Sequence, residues 1–214
     1  RRGGAQHVHG HPFGRGVDAD QQAMLREAKR SREASQFFTY QKRLLRMGAP
    51  PRDEVYWSRE EQLLFRGSKM HTGINFDSYD EVEVERRGGR GEEAVVESFQ
   101  ECCEQFSLPA GLTDNIRRCG YDKPTPVQKH SMPAALVNSD VMVAAQTGSG
   151  KTAAFLVPII SGSLRAGAAP LQEGPASPTS VIMAPTRELC QQITVEARKL
   201  CFRTPIRIVS IYGG

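Results

Sequence analysis

Short apolar runs alternate with helix-like stretches through the second half of the chain. Asp140 to Ala144 reads as a buried parallel strand, and Ala153-Ala154-Phe155-Leu156-Val157 continues as an apolar helix after an intervening glycine turn. Val181-Ile182-Met183-Ala184 reads as a second strand, and Pro185-Thr186-Arg187-Glu188-Leu189 opens a helix running to about Phe202. Ile206 to Tyr212 repeats the strand pattern and ends in Gly213-Gly214. The alternation predicts an α/β fold, with parallel strands at about 140–145, 180–184 and 206–211. Near the N-terminus the pattern differs. Between Asp20 and Met47, Ala23, Met24, Ala28, Phe37, Phe38, Tyr40, Leu44 and Leu45 recur near helical spacing among Lys and Arg. They predict a basic helix with a break near Ser35, stopped by Gly48-Ala49-Pro50-Pro51.

Composition adds bounds to this picture. With 214 residues and 39% hydrophobic content, the chain suits one domain-sized core with polar extensions. No stretch approaches the roughly 18 apolar residues that span a bilayer, so no membrane partner is expected. Cys102, Cys103, Cys119, Cys190 and Cys201 are odd in number and lack Cys-x-x-Cys spacing, so neither a disulfide framework nor a zinc site is indicated. The net charge of +4 is uneven. Residues 1–50 hold ten Lys and Arg against four Asp and Glu, whereas the remainder is slightly acidic. Non-specific attraction to RNA would therefore come mainly from the leader. Arg1 to Gly16 reads as a solvated tail, and its alternating His7, His9 and His11 lack the further ligands a metal needs. Arg86-Arg87-Gly88-Gly89-Arg90-Gly91 reads as a linker, and Ala166 to Ser180 as a Gly, Pro and Ser-rich excursion. The expected divisions are a basic leader with a helix over 1–50, an extended linker or extension over 51–98, and the front part of an α/β domain over 99–214.

The chemistry concentrates after the first strand. Ala145-Gln146-Thr147-Gly148-Ser149-Gly150-Lys151-Thr152 is a glycine-rich turn closing on Gly-Lys-Thr, the make-up of a phosphate cradle. Gly148 and Gly150 let backbone N–H groups approach an anion, and Lys151 adds a full positive charge. The helix N-terminus adds roughly half a charge, and the Thr152 hydroxyl can meet a Mg²⁺ bridging two phosphates. Upstream, Gly120-Tyr121-Asp122-Lys123-Pro124-Thr125-Pro126-Val127-Gln128 joins a planar ring to an amide on a chain stiffened by two prolines. An amide matches the donor and acceptor on the adenine edge.

At these residues the chain resembles the DEAD-box RNA helicases. The upstream segment resembles their Q motif, and the loop matches their Ala-x-Thr-Gly-x-Gly-Lys-Thr, so Ala145 stands where that family expects alanine. Pro185 to Leu189 resembles motif Ia, and Gly213-Gly214 the GG element. Glu60-Glu61-Gln62-Leu63-Leu64-Phe65 and His71 to Val84 look like the extension of the Belle branch, close to Vasa. The resemblance implies a RecA-like domain that binds ATP and Mg²⁺. It assigns the nucleotide to Tyr121, stacked on adenine, Gln128 at its edge, Lys123, Pro124 and Thr125 beside them, and Ala145, Gln146, Thr147, Gly148, Ser149, Gly150, Lys151 and Thr152 at the phosphates. Lys151 and Thr152 are the catalytic candidates. An upstream aromatic completes the site, either Phe99, preferred because it follows Glu97-Ser98, or Phe106, since Gln100 to Gln105 looks like a short insertion. Pro185, Thr186, Arg187, Gly213 and Gly214 would face an RNA backbone.

The resemblance thus implies the N-terminal portion of an ATP-dependent RNA helicase. The family's Asp-Glu-Ala-Asp, Ser-Ala-Thr and second-domain arginine motifs do not occur in residues 1–214, so this stretch alone is expected to bind a nucleotide without hydrolysing it. The alternative is a helicase-derived scaffold docked on a ribosomal or other ribonucleoprotein particle through its basic helix. The branch resemblance implies partners in translation and a cytoplasmic location. The Arg-rich, helix-forming N-terminus makes a mitochondrial location the alternative.

Overall fold

The computed structural model describes residues 19–48, 51–66, 82–89, 95–167 and 178–213. Their regular elements are helices: α1 (Ala19–Arg46), α2 (Glu54–Phe65), α3 (Phe99–Gln105), α4 (Ala110–Arg118), α5 (Pro126–Leu136), α6 (Lys151–Ala166) and α7 (Arg187–Leu200). The starts of α2, α3, α5 and α7 each have a side-chain cap. Asp53 accepts from Tyr56 N at 2.9 Å, Ser98 from Glu101 N at 3.0 Å and Thr186 from Leu189 N at 3.2 Å, each side chain satisfying a backbone donor that the helix itself leaves free. Thr125 and Gln128 form a reciprocal capping box at α5.

The core lies between α3, α4, α5, α6 and α7. Phe99, Cys102, Leu112, Ile116, Met132, Leu156, Val157 and Leu200 are buried in one cluster. The α5 helix packs on α6, α6 on α7, and α4 on both α6 and α7. Asn115 of α4 is buried, and its amide nitrogen donates to the carbonyls of Leu200 at 2.9 Å and Phe202 at 2.7 Å. Those carbonyls lie at the end of α7, where no later turn supplies donors. Asn115→Leu should therefore destabilise the fold by about 2 kcal/mol, read by denaturant unfolding. Unchanged stability would show that water takes over both carbonyls.

Several expectations change in detail. The basic helix has no break at Ser35; the Thr39 hydroxyl donates to the Ser35 carbonyl at 3.0 Å within an unbroken α1. The helix ends two residues before Gly48, which has φ +77°. The stretch 51–98, read as an extended linker, contains α2. Trp57 and Leu64 of α2 bury against Phe202, and the Trp57 and Phe65 rings each meet Phe202 edge to face at 5.4 Å. Arg198 of α7 donates from Nη2 to both carboxylate oxygens of Glu60 at 2.6 Å, Arg118 pairs with Glu61, and Arg203 pairs with Glu54. The Arg203 guanidinium holds the exposed Glu54 carboxyl below its ordinary range.

The three segments expected as strands, about 140–145, 180–184 and 206–211, carry no ladder among the described residues. A parallel strand takes its hydrogen bonds from a neighbour alongside it, and these three do not pair with one another. Met142 is 99% exposed and Met183 91%, so apolar side chains on these segments face outward. The Arg1 to Gly16 tail with its histidines, His71 to Glu81, Arg90-Gly91, residues 168–177 and Gly214 lie outside the described residues, as do the side chains of Ala23, Phe37, Phe38 and Tyr40.

All five cysteines are free, and burial pushes the Cys102, Cys119 and Cys201 thiols up to about 12. These three buried thiols are poor nucleophiles near neutral pH. Among the described residues, no helix is long and apolar enough to cross a membrane, and no group of three His, Cys, Asp or Glu could hold a metal ion.

His130 of α5 titrates in a reachable range. Burial, then the Arg86 and Lys129 cations, lower its pKa, and its buried Nδ1 has no hydrogen-bond partner among the described residues. The folded protein thus favours the neutral ring. Stability from this group is complete above the unfolded value near 6.5 and is lost as pH falls below it toward the folded value. His130→Gln should flatten the melting temperature between pH 7.5 and 5.5 relative to wild type. Equal acid sensitivity in both proteins would remove His130 as the cause.

Candidate nucleotide and RNA site

The turn between the first expected strand and α6 takes its shape from two glycines. Gly148 has φ +83° and Gly150 φ +84°, a region that costs other residues about 1–2 kcal/mol. Gly150 is also crowded: a Cβ there would lie 2.5 Å from the Gln128 amide nitrogen and 3.1 Å from the Thr125 hydroxyl, whereas one at Gly148 would meet nothing within 4 Å. Only a bare backbone fits at the first turn of α6.

Thr125 and Gln128 hold this loop from the side. The Thr125 hydroxyl donates to Ser149 O at 2.7 Å, and the Gln128 amide nitrogen donates to Gly150 O at 3.1 Å. The Gln128 amide oxygen accepts from Thr125 N at 2.9 Å. Gln128 is 5% exposed, and both ends of its amide engage the chain. An amide has two N–H groups and two lone pairs, so each end retains one valence for a further partner. The two sequence segments therefore form one unit, in which Pro124 is buried and Lys123 exposed.

Lys151 sits within its own loop. Its ammonium donates to Ala145 O at 2.7 Å and Gln146 O at 2.6 Å, with Ser149 Oγ at 3.4 Å. Carbonyl oxygens hold the cation where a phosphate oxygen would compete for it. Ser149 is buried, Thr152 half-buried, and Gln146, Thr147 and Gly148 exposed. The hydroxyl of Thr152 is a hard oxygen donor of the kind Mg²⁺ takes, and it stands at the start of α6 beside the cradle, so the residues present fit a Mg²⁺-nucleotide.

The structure brings Phe99, and not Phe106, to Tyr121. Their rings stack with centroids 5.2 Å apart at 24°, and Phe99 N donates to Asp122 O at 3.0 Å. Phe106 ends α3, and its carbonyl accepts from Arg165. One face of Tyr121 is thus covered by Phe99. Its hydroxyl donates to Glu196 at 3.2 Å, and burial raises its pKa well above the ordinary value.

A second cluster forms at the start of α7. Thr186 caps the helix, while Pro185, Thr186 and Arg187 are exposed. The Arg187 guanidinium lies 4.7 Å from the Tyr212 ring centre, and Gln191 donates to the Tyr212 hydroxyl at 3.3 Å. Tyr212, directly before Gly213, thereby joins the start of α7 across more than twenty residues of chain. Sequence reasoning passed over Tyr212 as a functional residue, and the available signal was an aromatic directly before paired glycines. It also passed over Glu196, for which only the distance along the chain to Tyr121 stood in the way.

A glycine turn clasped by Thr125 and Gln128, an inward ammonium and a hydroxyl at the start of α6 give this domain the make-up of a phosphate loop. Residues 125–214 match the DEAD/DEAH box helicase family. The chain is 49% identical over 148 residues to "ATP-dependent RNA helicase DDX4" of Mus musculus, covering 67% of this chain and 20% of that protein. It is 48% identical over 148 residues to "Probable ATP-dependent RNA helicase DDX4" of Homo sapiens, covering 67% and 19%. A solved structure, "Crystal structure of the RNA-helicase Prp28 from Chaetomium thermophilum bound to ADP", aligns at 44% identity with a TM-score of 0.43, covering 52% of this chain and 26% of that one. The chain belongs to the DEAD-box helicase family, in its Vasa branch. It spans about a fifth of the length of the curated relatives it matches.

Proposed function

We propose that the complete protein is an ATP-dependent RNA helicase, coupling RNA-stimulated ATP hydrolysis to local duplex opening or ribonucleoprotein remodelling. The carrying observation is the bridge from Gln128 to Gly150, which links the adenine-side segment directly to the phosphate loop. In this reading the remaining donor and acceptor of Gln128 meet the adenine edge, beside Tyr121 and Phe99. Lys151 leaves its loop carbonyls for the phosphates, and the loop N–H groups orient them. Thr152 supplies an oxygen to Mg²⁺. When bound, ATP and Mg²⁺ supply the phosphoryl-transfer chemistry. Thr186, Arg187 and Gly213 present an exposed edge to an RNA backbone, where hydroxyl, guanidinium and bare backbone each suit a phosphate oxygen.

The segments at 140–145, 180–184 and 206–211 become parallel strands of one sheet in the complete domain. Their apolar side chains, their lack of helix and the helices between them support this. A role on a ribonucleoprotein particle in translation follows only from the branch resemblance. The test is ATP hydrolysis by the complete protein with and without single-stranded RNA. RNA-stimulated turnover is expected. Nucleotide binding without turnover would reject the helicase reading in favour of a scaffold that has kept its cradle.

A further inference from the structure

We propose that the outward face of α1 is an accessory contact for the phosphate backbone of RNA, separate from the edge at Thr186 and Arg187. This rests on the reading that the complete protein acts on RNA. The helix is anchored by its opposite side. Lys29 donates to the carbonyls of Ser107 and Leu108, both at 2.9 Å, Arg30 pairs with Asp114 at 3.4 Å, and Leu44 is buried. Ser107 has φ +47°, so Lys29 grips the tight turn that joins α3 to α4. These contacts fix which side of α1 faces solvent.

At about 100° per residue, Ser31, Ser35, Thr39, Arg32, Arg43 and Arg46 fall within an arc of roughly 120°. The centre of that arc lies nearly opposite Leu44. All six are exposed, and no Asp or Glu falls within the arc. The acidic residue nearest to it, Glu27, lies outside its edge. From Ser31 to Arg46 the face runs about 22 Å at ~1.5 Å per residue, the reach of several consecutive phosphates.

The side-chain chemistry selects the partner. Guanidinium groups match phosphate oxygens in pairs, and short side chains let a backbone approach closely, with the Ser31 and Ser35 hydroxyls able to donate to it while the Thr39 hydroxyl donates to the Ser35 carbonyl. A protein groove that takes a helix needs apolar anchors at i, i+4 and i+8 of the docking face. Here Ser31, Ser35 and Thr39 occupy those positions. The exposed apolar residues Leu45 and Met47 fall outside the arc, and Met24 and Leu25, which fall on its line, lie more than one turn before Ser31. The face therefore suits an unbranched polyanion better than an amphipathic groove.

The test is the triple variant Arg32→Gln, Arg43→Gln, Arg46→Gln in the complete protein, with binding to single-stranded RNA measured across 50–300 mM salt. Three lost phosphate contacts predict at least a tenfold weaker affinity at low salt. The slope of log K against log salt should become shallower by about 2. Binding of a fluorescent ATP analogue should not change, and polyglutamate should compete poorly. An unchanged slope, with Arg187→Gln still weakening RNA binding, would overturn this contact and leave the RNA reading standing. A wild-type protein that bound no RNA at low salt would overturn both. Displacement by polyglutamate at matched charge would overturn the proposal in favour of an acidic protein surface.

Discussion

Lys151→Ala should reduce RNA-stimulated ATP turnover by the complete protein at least 10²–10³-fold, the scale seen when a positioned group that stabilises transition-state charge is removed. The ammonium is the one full positive charge that residues 145–152 carry, and it already lies within 2.7 Å of two loop carbonyls. Its loss removes the attraction that would draw phosphate oxygens into the turn. The fold should survive, because the Lys151 contacts are local to the loop and exposed in part, while α6 is held by buried Ala154, Leu156, Val157 and Ile160. The check pairs steady-state turnover with a melting curve. Wild-type turnover in a folded variant would sink the assignment of this loop to ATP, whereas a collapsed melting transition would mean that Lys151 serves the fold first.

Gly150→Ala should cost both stability and nucleotide affinity, and Gly148→Ala should separate the two effects. Both residues have φ near +84°, so either alanine carries about 1–2 kcal/mol of backbone strain. Only at Gly150 would the new methyl meet a neighbour, at 2.5 Å from the Gln128 amide. Relief requires Gln128 to withdraw, which breaks the bond to Gly150 O and disturbs the capping box at α5. Nucleotide affinity should therefore fall more than tenfold for Gly150→Ala and several times less for Gly148→Ala, measured by titration with a fluorescent ATP analogue. Equal losses would show that strain alone, and not the contact with Gln128, governs the loop.

What could be read from the chain divides along a physical line. The phosphate loop, the Pro124 to Gln128 segment and the helix at Arg187 are written in consecutive residues, since glycine conformation, capping and apolar periodicity are local properties. The expected end of that helix, about Phe202, lies two residues beyond the observed Leu200. The choice between Phe99 and Phe106 was not local. It depended on which ring the turn after α4 would bring to Tyr121. The same holds for Asn115, whose partners at Leu200 and Phe202 lie more than eighty residues away.

The α2 helix was missed for a different reason. Val55 and Leu63 point outward while Glu60 points inward, so its hydrophobic pattern is blurred. Burial of Glu60 makes sense only with Arg198 in place. Its Asp53 cap was the usable signal. The strands present the reverse case. Their apolar runs are plain in the sequence, but a parallel ladder is a property of neighbours, and among the described residues no two of them form one.

The grip of α2 on Phe202 and Arg198 also redraws where the domain begins. A border placed by motifs falls near Phe99, just ahead of the nucleotide segment. A border placed by packing falls near Arg52, whose guanidinium lies 5.6 Å from the Trp57 ring centre and donates to Ile206 O at 3.2 Å. Trimming the chain to its motifs would cut through that interface, leaving the Phe202 ring bare and a carboxylate missing from beside Arg198. The shortest well-behaved version of this protein should therefore start upstream of residue 52, and a piece beginning at 99 should aggregate where the longer one stays monodisperse.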